Sequence, residues 1–238
     1  MSAPHSVIAG GSSGIGLATA KTLLNAGHKV SIAGRNTARL DQAARLLGDQ
    51  AQAVVMDAAD PESVKSAFAS IGPFDHLVLA FGSTKGAGPF ATVDLAEVRQ
   101  GFVEKVFPHF ATAQAALPFL APRGSITFVA AVTAHSAMPG TAGIGAANAA
   151  VAALVPILAA ELKPLRVNGV SPGVIDTPWW DFLSDDVKAT VFADFAGKTP
   201  VGRVGQADDI AQTIAFLISN GFMSGDVIIC DGGLRLGG

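Results

Sequence analysis

The sequence predicts an α/β fold in which a parallel sheet is covered by helices on both faces. Three observations carry this. Short runs rich in β-branched residues alternate with longer alanine- and leucine-rich stretches of helical period. The short runs are apolar almost throughout instead of alternating with polar residues. The first of them runs straight into a glycine-rich turn followed by a helix. Continuous apolar strands separated by helices belong to parallel sheets buried on both sides, because each crossover lays a helix over a sheet face.

In chain order, strands are predicted at 6–9, 29–33, 53–56, 76–79, 125–129, 166–170 and 227–230. Helices are predicted between them at 14–26, 37–47, 61–70, 95–120, 140–162 and 207–219. No linker or repeat interrupts the rhythm, so residues 1–238 are expected to form one domain. Residues 177–198 break the pattern. They carry Trp179, Trp180, Phe182, Phe192 and Phe195 among acids, after a Ser-Pro-Gly turn. This stretch is either a helical lid over a ligand site or a hairpin packed for stability.

Composition narrows the classes. Half the 238 residues are hydrophobic and 15% are charged, which supplies a large core and excludes a disordered chain. A formal net charge of −3 gives no reason to expect nucleic acid or an anionic membrane as partner. The most apolar stretch, 146–160, is shorter than the roughly 20 residues that span a bilayer. The lone cysteine, Cys230, allows no internal disulfide and no thiolate metal cluster, and it fits a reducing cytoplasm. The chain contains no tyrosine.

The first turn is Gly10-Gly11-Ser12-Ser13-Gly14-Ile15-Gly16. Gly10 permits a tight turn, Gly14 lets the backbone approach a pyrophosphate, and Gly16 lets the helix pack on the strand. The following helix offers unpaired N–H groups to phosphate. After the second strand stand Gly34-Arg35-Asn36, where an acid would take a ribose 2′-hydroxyl. Arg35 instead suits a 2′-phosphate, with Ser12 and Ser13 adding hydroxyls, so NADP(H) is expected in preference to NAD(H). Asp57 either accepts from the adenine amino group or caps the helix starting near Pro61.

Taken together these residues resemble the short-chain dehydrogenase/reductase family along the whole chain. The loop at 10–16 is similar to the family's TGxxxGxG, and 167–173 to its VNxVxPG segment, followed by Thr177-Pro178. Thr199–Gly205 and the closing Cys230-Asp231-Gly232-Gly233 resemble its C-terminal landmarks. The resemblance implies a doubly wound Rossmann fold with strand order 3-2-1-4-5-6-7. It implies nicotinamide contacts from Pro172, Gly173, Val174 and Thr177, and a homodimer or homotetramer formed through the two long helices.

The departures are specific. The family's NNAG falls on Leu79-Ala80-Phe81-Gly82, leaving Ala80, Phe81 and Gly82 to border the cofactor. Its catalytic asparagine, serine, tyrosine and lysine fall on Lys105, Ala131, Ile144 and Asn148. Asparagine and lysine have exchanged places. Either the exchange keeps Lys105 and Asn148 at the nicotinamide ribose, or Lys105 is exposed or paired with a neighbour such as Glu104. Ala131 and Ile144 can donate no proton, and with Trp179 and Trp180 they predict an apolar substrate pocket. Loss of the acid removes on the order of 10²–10⁴ in rate from carbonyl reduction. His135, Lys105 and Asn148 are the catalytic candidates left; no metal is expected. The expectation is an atypical NADP(H)-dependent oxidoreductase acting on an apolar small molecule. A cofactor-binding sensor or partner subunit is the alternative.

Overall fold

The computed structural model describes residues 3–237. Seven strands lie parallel in one sheet: β1 (His5–Ala9), β2 (Lys29–Gly34), β3 (Ala51–Val55), β4 (Phe74–Leu79), β5 (Leu120–Val129), β6 (Arg166–Pro172) and β9 (Val227–Cys230). Their order is β3-β2-β1-β4-β5-β6-β9. The expected winding is therefore present. The last strand is ninth in the chain because a two-residue pair, β7 (Ile175–Asp176) and β8 (Gly205–Gln206), forms a small sheet of its own.

Every residue of β1 is buried, since both faces are covered. On one face, α3 (Pro61–Ile71), α4 (Leu95–Ala116) and α5 (Ala142–Glu161) pack Phe68, Ala116, Val151 and Val155 against Leu77, Ile126 and Phe128. On the other, α1 (Gly14–Asn25), α2 (Thr37–Leu47) and α7 (Ala207–Ser219) pack Leu23, Leu40, Ile210 and Ile214 against Ile8, Ile32 and Val170. The order reverses between β1 and β4, where ligands settle in open α/β sheets because neighbouring crossovers leave in opposite directions.

Several predicted boundaries move for local reasons. The helix expected over 95–120 stops at Ala116. A 3-10 turn, Leu117–Phe119, contains Pro118, which has no N–H to continue the ladder. Leu120 already pairs with Phe74 in the sheet. The helix expected from 140 begins at Ala142, because Gly140 has φ +81°. β6 runs on through Pro172, beyond the expected 170.

The α5 helix is apolar and long enough to cross a bilayer by composition alone, with a mean hydropathy of 1.9. In the fold its face of Gly145, Ala147, Asn148, Val151 and Val155 is buried against the sheet and its neighbours. Within 177–198 lie a 3-10 turn, Pro178–Trp180, and α6 (Asp185–Lys198), none of whose residues is fully buried.

Candidate functional site

At the carboxyl ends of β1, β4, β5 and β6 opens a cleft of about 650 Å³. The glycine loop forms one end. Gly10 has φ +85°, and a Cβ there would lie 2.6 Å from Ala80 O. A Cβ on Gly16 would lie 2.1 Å from Gly10 O, so no side chain fits. Gly14 has φ +51° and faces Thr177, where a Cβ would meet the threonine side chain at 3.3 Å. Ser13 stands at the N-cap of α1 without using its side chain, which leaves the first-turn N–H groups open to a ligand. This cradle, bare backbone beside a helix N-terminus, fits a pyrophosphate.

Gly10, Ser13, Gly14, Ile15 and Gly16 all line the cleft. Ser12 turns toward the end of β2, where a Cβ on Gly34 would approach its Oγ at 3.4 Å. Arg35 is exposed just past that strand, and Asn36 caps α2 by accepting from Arg39 N at 2.9 Å. Arg39, one turn along α2, borders the cleft itself. The sequence signal for it is its place in the first turn of α2, three residues past the Asn36 cap. Asp57 lies outside the cleft lining. Its Oδ1 accepts from Ala59 N at 3.0 Å, while the helix cap is Asp60.

The other end holds Ala131, Ile144, Asn148, Lys105, Pro172, Gly173, Val174 and Thr177. Lys105 is 6% exposed, neither free in solvent nor paired with Glu104. Glu104 instead accepts from Ser83 Oγ and Gln100. The Lys105 Nζ donates to the carbonyls of Phe81 (2.8 Å), Val129 (2.9 Å) and Ala130 (3.4 Å). An ammonium has three protons, and all three are committed. Burial lowers its pKa from 10.5 to about 7. One turn on, His109 is fully buried. Its Nδ1–H donates to Lys105 O at 2.6 Å, and burial followed by the Lys105 charge lowers its pKa to about 3. Ala80, Phe81 and Gly82 line the cleft as expected, and the Phe81 ring also packs edge-on against His109, with ring centres 5.2 Å apart.

Asn148 Nδ2 donates to Thr133 Oγ1 (3.1 Å) and Ile144 O (2.9 Å), while its buried Oδ1 has no partner. Thr133 accepts that bond and keeps its own hydroxyl proton for a ligand. His135 is exposed, hydrogen-bonded through Nε2 to Ser171 Oγ at 3.0 Å, and outside the cleft lining.

Over the cleft stands the aromatic group. Trp179, Trp180, Phe182 and Phe195 line it, and Phe192 stacks edge-on behind Trp180 at 5.5 Å. Both indoles are anchored: Trp179 Nε1 donates to Ser83 O and Trp180 Nε1 to Ile175 O. Lys188 of α6 pairs with Asp176 of β7 at 2.8 Å. Asp181, Asp185 and Asp186 are exposed.

The fold and the glycine cradle define a Rossmann-type α/β protein with its ligand cleft at the topological switch point. A family model described as enoyl-(acyl carrier protein) reductase matches residues 9–235. Gluconate 5-dehydrogenase of Gluconobacter oxydans is 32% identical over 99% of this chain and 96% of its own length. Cis-4-hydroxycyclohexanecarboxylate dehydrogenase of Sinomonas cyclohexanicum is 32% identical over 95% and 94%. A small-chain dehydrogenase solved in complex with NADPH superposes with a TM-score of 0.86, at 33% identity over 98% of this chain and 99% of that one. The chain belongs to the short-chain dehydrogenase/reductase family of nicotinamide-dependent oxidoreductases.

Proposed function

We propose that the protein is an NADP(H)-dependent oxidoreductase that works on a flat, apolar small molecule without a phenolic acid. One observation carries the reading: the reaction end of the cleft is lined by Ala131, Ile144, Asn148 and Lys105, in a chain without tyrosine. The cofactor's pyrophosphate would rest on Gly10–Gly16, its 2′-phosphate near Ser12, Arg35 and Arg39, and its nicotinamide against Pro172–Thr177. When bound, NADPH supplies a hydride. Asn148, with an unpartnered oxygen, is the acceptor for a ribose hydroxyl, and Thr133 is the hydroxyl donor toward substrate oxygen.

Acceptors that need little acid assistance suit this lining: an enone or quinone can take its proton from water after hydride addition. Trp179, Trp180, Phe182 and Phe195 offer the flat apolar wall. Pairing of subunits through α4 and α5 would cover Val103, Phe107, Phe110 and Ile157, which are 44–61% exposed. A cytoplasmic setting fits the single free thiol, Cys230.

A second reading, a cofactor-binding sensor or partner subunit, is favoured by the committed protons of Lys105 and the displacement of His135 from the cleft. Turnover separates the two. Purified protein is mixed with NADPH and a panel of carbonyls, imines, quinones and enones. Consumption with an enone or quinone supports the enzyme. Tight NADPH binding without consumption across the panel supports the sensor.

A further inference from the structure

We propose that Lys105 selects the redox state of the bound cofactor, holding a cation under the cleft that favours neutral reduced nicotinamide over the positively charged oxidised ring. The inference rests on the NADP(H) reading above. The geometry behind it is a side chain rooted in α4 whose Nζ is bound by the carbonyls of Phe81 after β4 and of Val129 and Ala130 ending β5. Three inward carbonyls hold the charge in place but carry no formal negative charge to cancel it. Among the described residues lining the cleft, the ionisable ones are Arg39, Lys85 and Lys105, with no aspartate or glutamate.

The charged neighbours do not compensate. On α4, His109 is kept neutral by burial, and Glu104 is turned to Ser83 and Gln100. In the loop after β4, Lys85 is paired with Glu97 at 3.1 Å. From α5 the facing polar group is Asn148, which is uncharged, and the strand ends contribute backbone only. The lowered pKa of Lys105 arises from burial, with no charged group contributing. A buried cation without a counter-charge repels a second one brought beside it. Across several ångströms at an effective dielectric constant near 20 this repulsion is worth about tenfold in affinity or more. The same repulsion links NADP⁺ binding to loss of the Lys105 proton.

The test measures dissociation constants of NADPH, NADP⁺ and 2′,5′-ADP for the full chain and for Lys105→Met by calorimetry. Each is measured at a pH well below and a pH well above the value of about 7. The 2′-phosphate titrates alike in both dinucleotides, so it cancels in their ratio. In the unsubstituted protein NADP⁺ should bind about tenfold more weakly than NADPH at the lower pH, and the ratio should approach one at the higher. Lys105→Met should show the small ratio at both, with 2′,5′-ADP binding intact. An NADP⁺/NADPH ratio that does not change between the two pH values in the unsubstituted protein overturns the inference, and that arm decides even where Lys105→Met does not fold. Failure of all three ligands to bind overturns the cofactor reading and this inference with it. Binding of all three at a fixed ratio overturns this inference alone.

Discussion

The two ends of the sheet handle buried polarity in opposite ways. At the carboxyl end a single lysine is held by three carbonyls beneath an open cleft. At the amino end, three histidines are each bonded to a serine: His5 to Ser31 (2.8 Å), His28 to Ser6 (2.9 Å) and His76 to Ser125 (2.9 Å). The rings of His28 and His76 lie 5.7 Å apart. Neutral donors and acceptors satisfy one another there and close the sheet, whereas at the other end backbone atoms and small residues leave room for a ligand. A strand end becomes a site where side chains are missing, and a plug where they pair.

Glycine gives the largest contrast. Gly16→Ala at the cleft end drives a Cβ into Gly10 O, and should cost more than about 3 kcal/mol or abolish dinucleotide binding. Gly72→Ala at the amino end meets nothing within 4 Å and carries only the left-handed backbone penalty of about 1–2 kcal/mol. Urea unfolding of both variants ranks them; equal losses would erase the distinction.

Acid should open the amino end next. Burial lowers the pKa of His5, His28 and His76, the last to about 4, with partial opposition from Asp75. His28 and Arg166 further lower His76, and Lys29 lowers His5. Folded pKa values below 6.5 mean that the unfolded chain takes up protons first as pH falls. Stability should therefore be intact above 6.5 and decline from there toward 4. His76→Gln should flatten that decline; a profile identical to the parent's would remove His76 as its source.

Lys105 gives the opposite end its own window. Its folded pKa of about 7 lies below the ordinary lysine value of 10.5, so between these the unfolded chain binds the extra proton. Its contribution makes stability climb with pH across that range, and Lys105→Met should lack the climb when unfolding is followed from neutral to alkaline pH.

The smallest effect concerns the 2′-phosphate. Arg35→Ala and Arg39→Ala should each weaken NADPH by about tenfold, or about 1.4 kcal/mol, and leave NADH nearly unchanged. Equal losses for both dinucleotides, read by fluorescence titration, would count against 2′-phosphate recognition at the end of β2.

Much of the fold was legible because buried parallel strands need apolar runs and tight turns need glycine. The boundaries at Ala116 and Ala142 were less so, since Pro118 and Gly140 act through backbone geometry that composition does not rank. In the site, Gly10, Gly14 and Gly16 were legible for the same steric reason. Arg39 was less legible, because it stands inside α2 and not at the strand end. The partners of Lys105 were invisible, since carbonyls that accept from it come from residues 24 and 25 positions away and bear no side-chain signature.

By itself the sequence determined a parallel sheet covered on both faces, the phosphate cradle and the lack of any phenol, because periodicity, glycine and residue identity are local properties, while the strand order was implied by the family resemblance. Only the tertiary structure decided that Lys105 is caged, that His135 faces Ser171 and that Trp179 and Trp180 wall the cleft. Those outcomes depend on which strand ends and loops meet in space, and there burial sets the charge a side chain can keep.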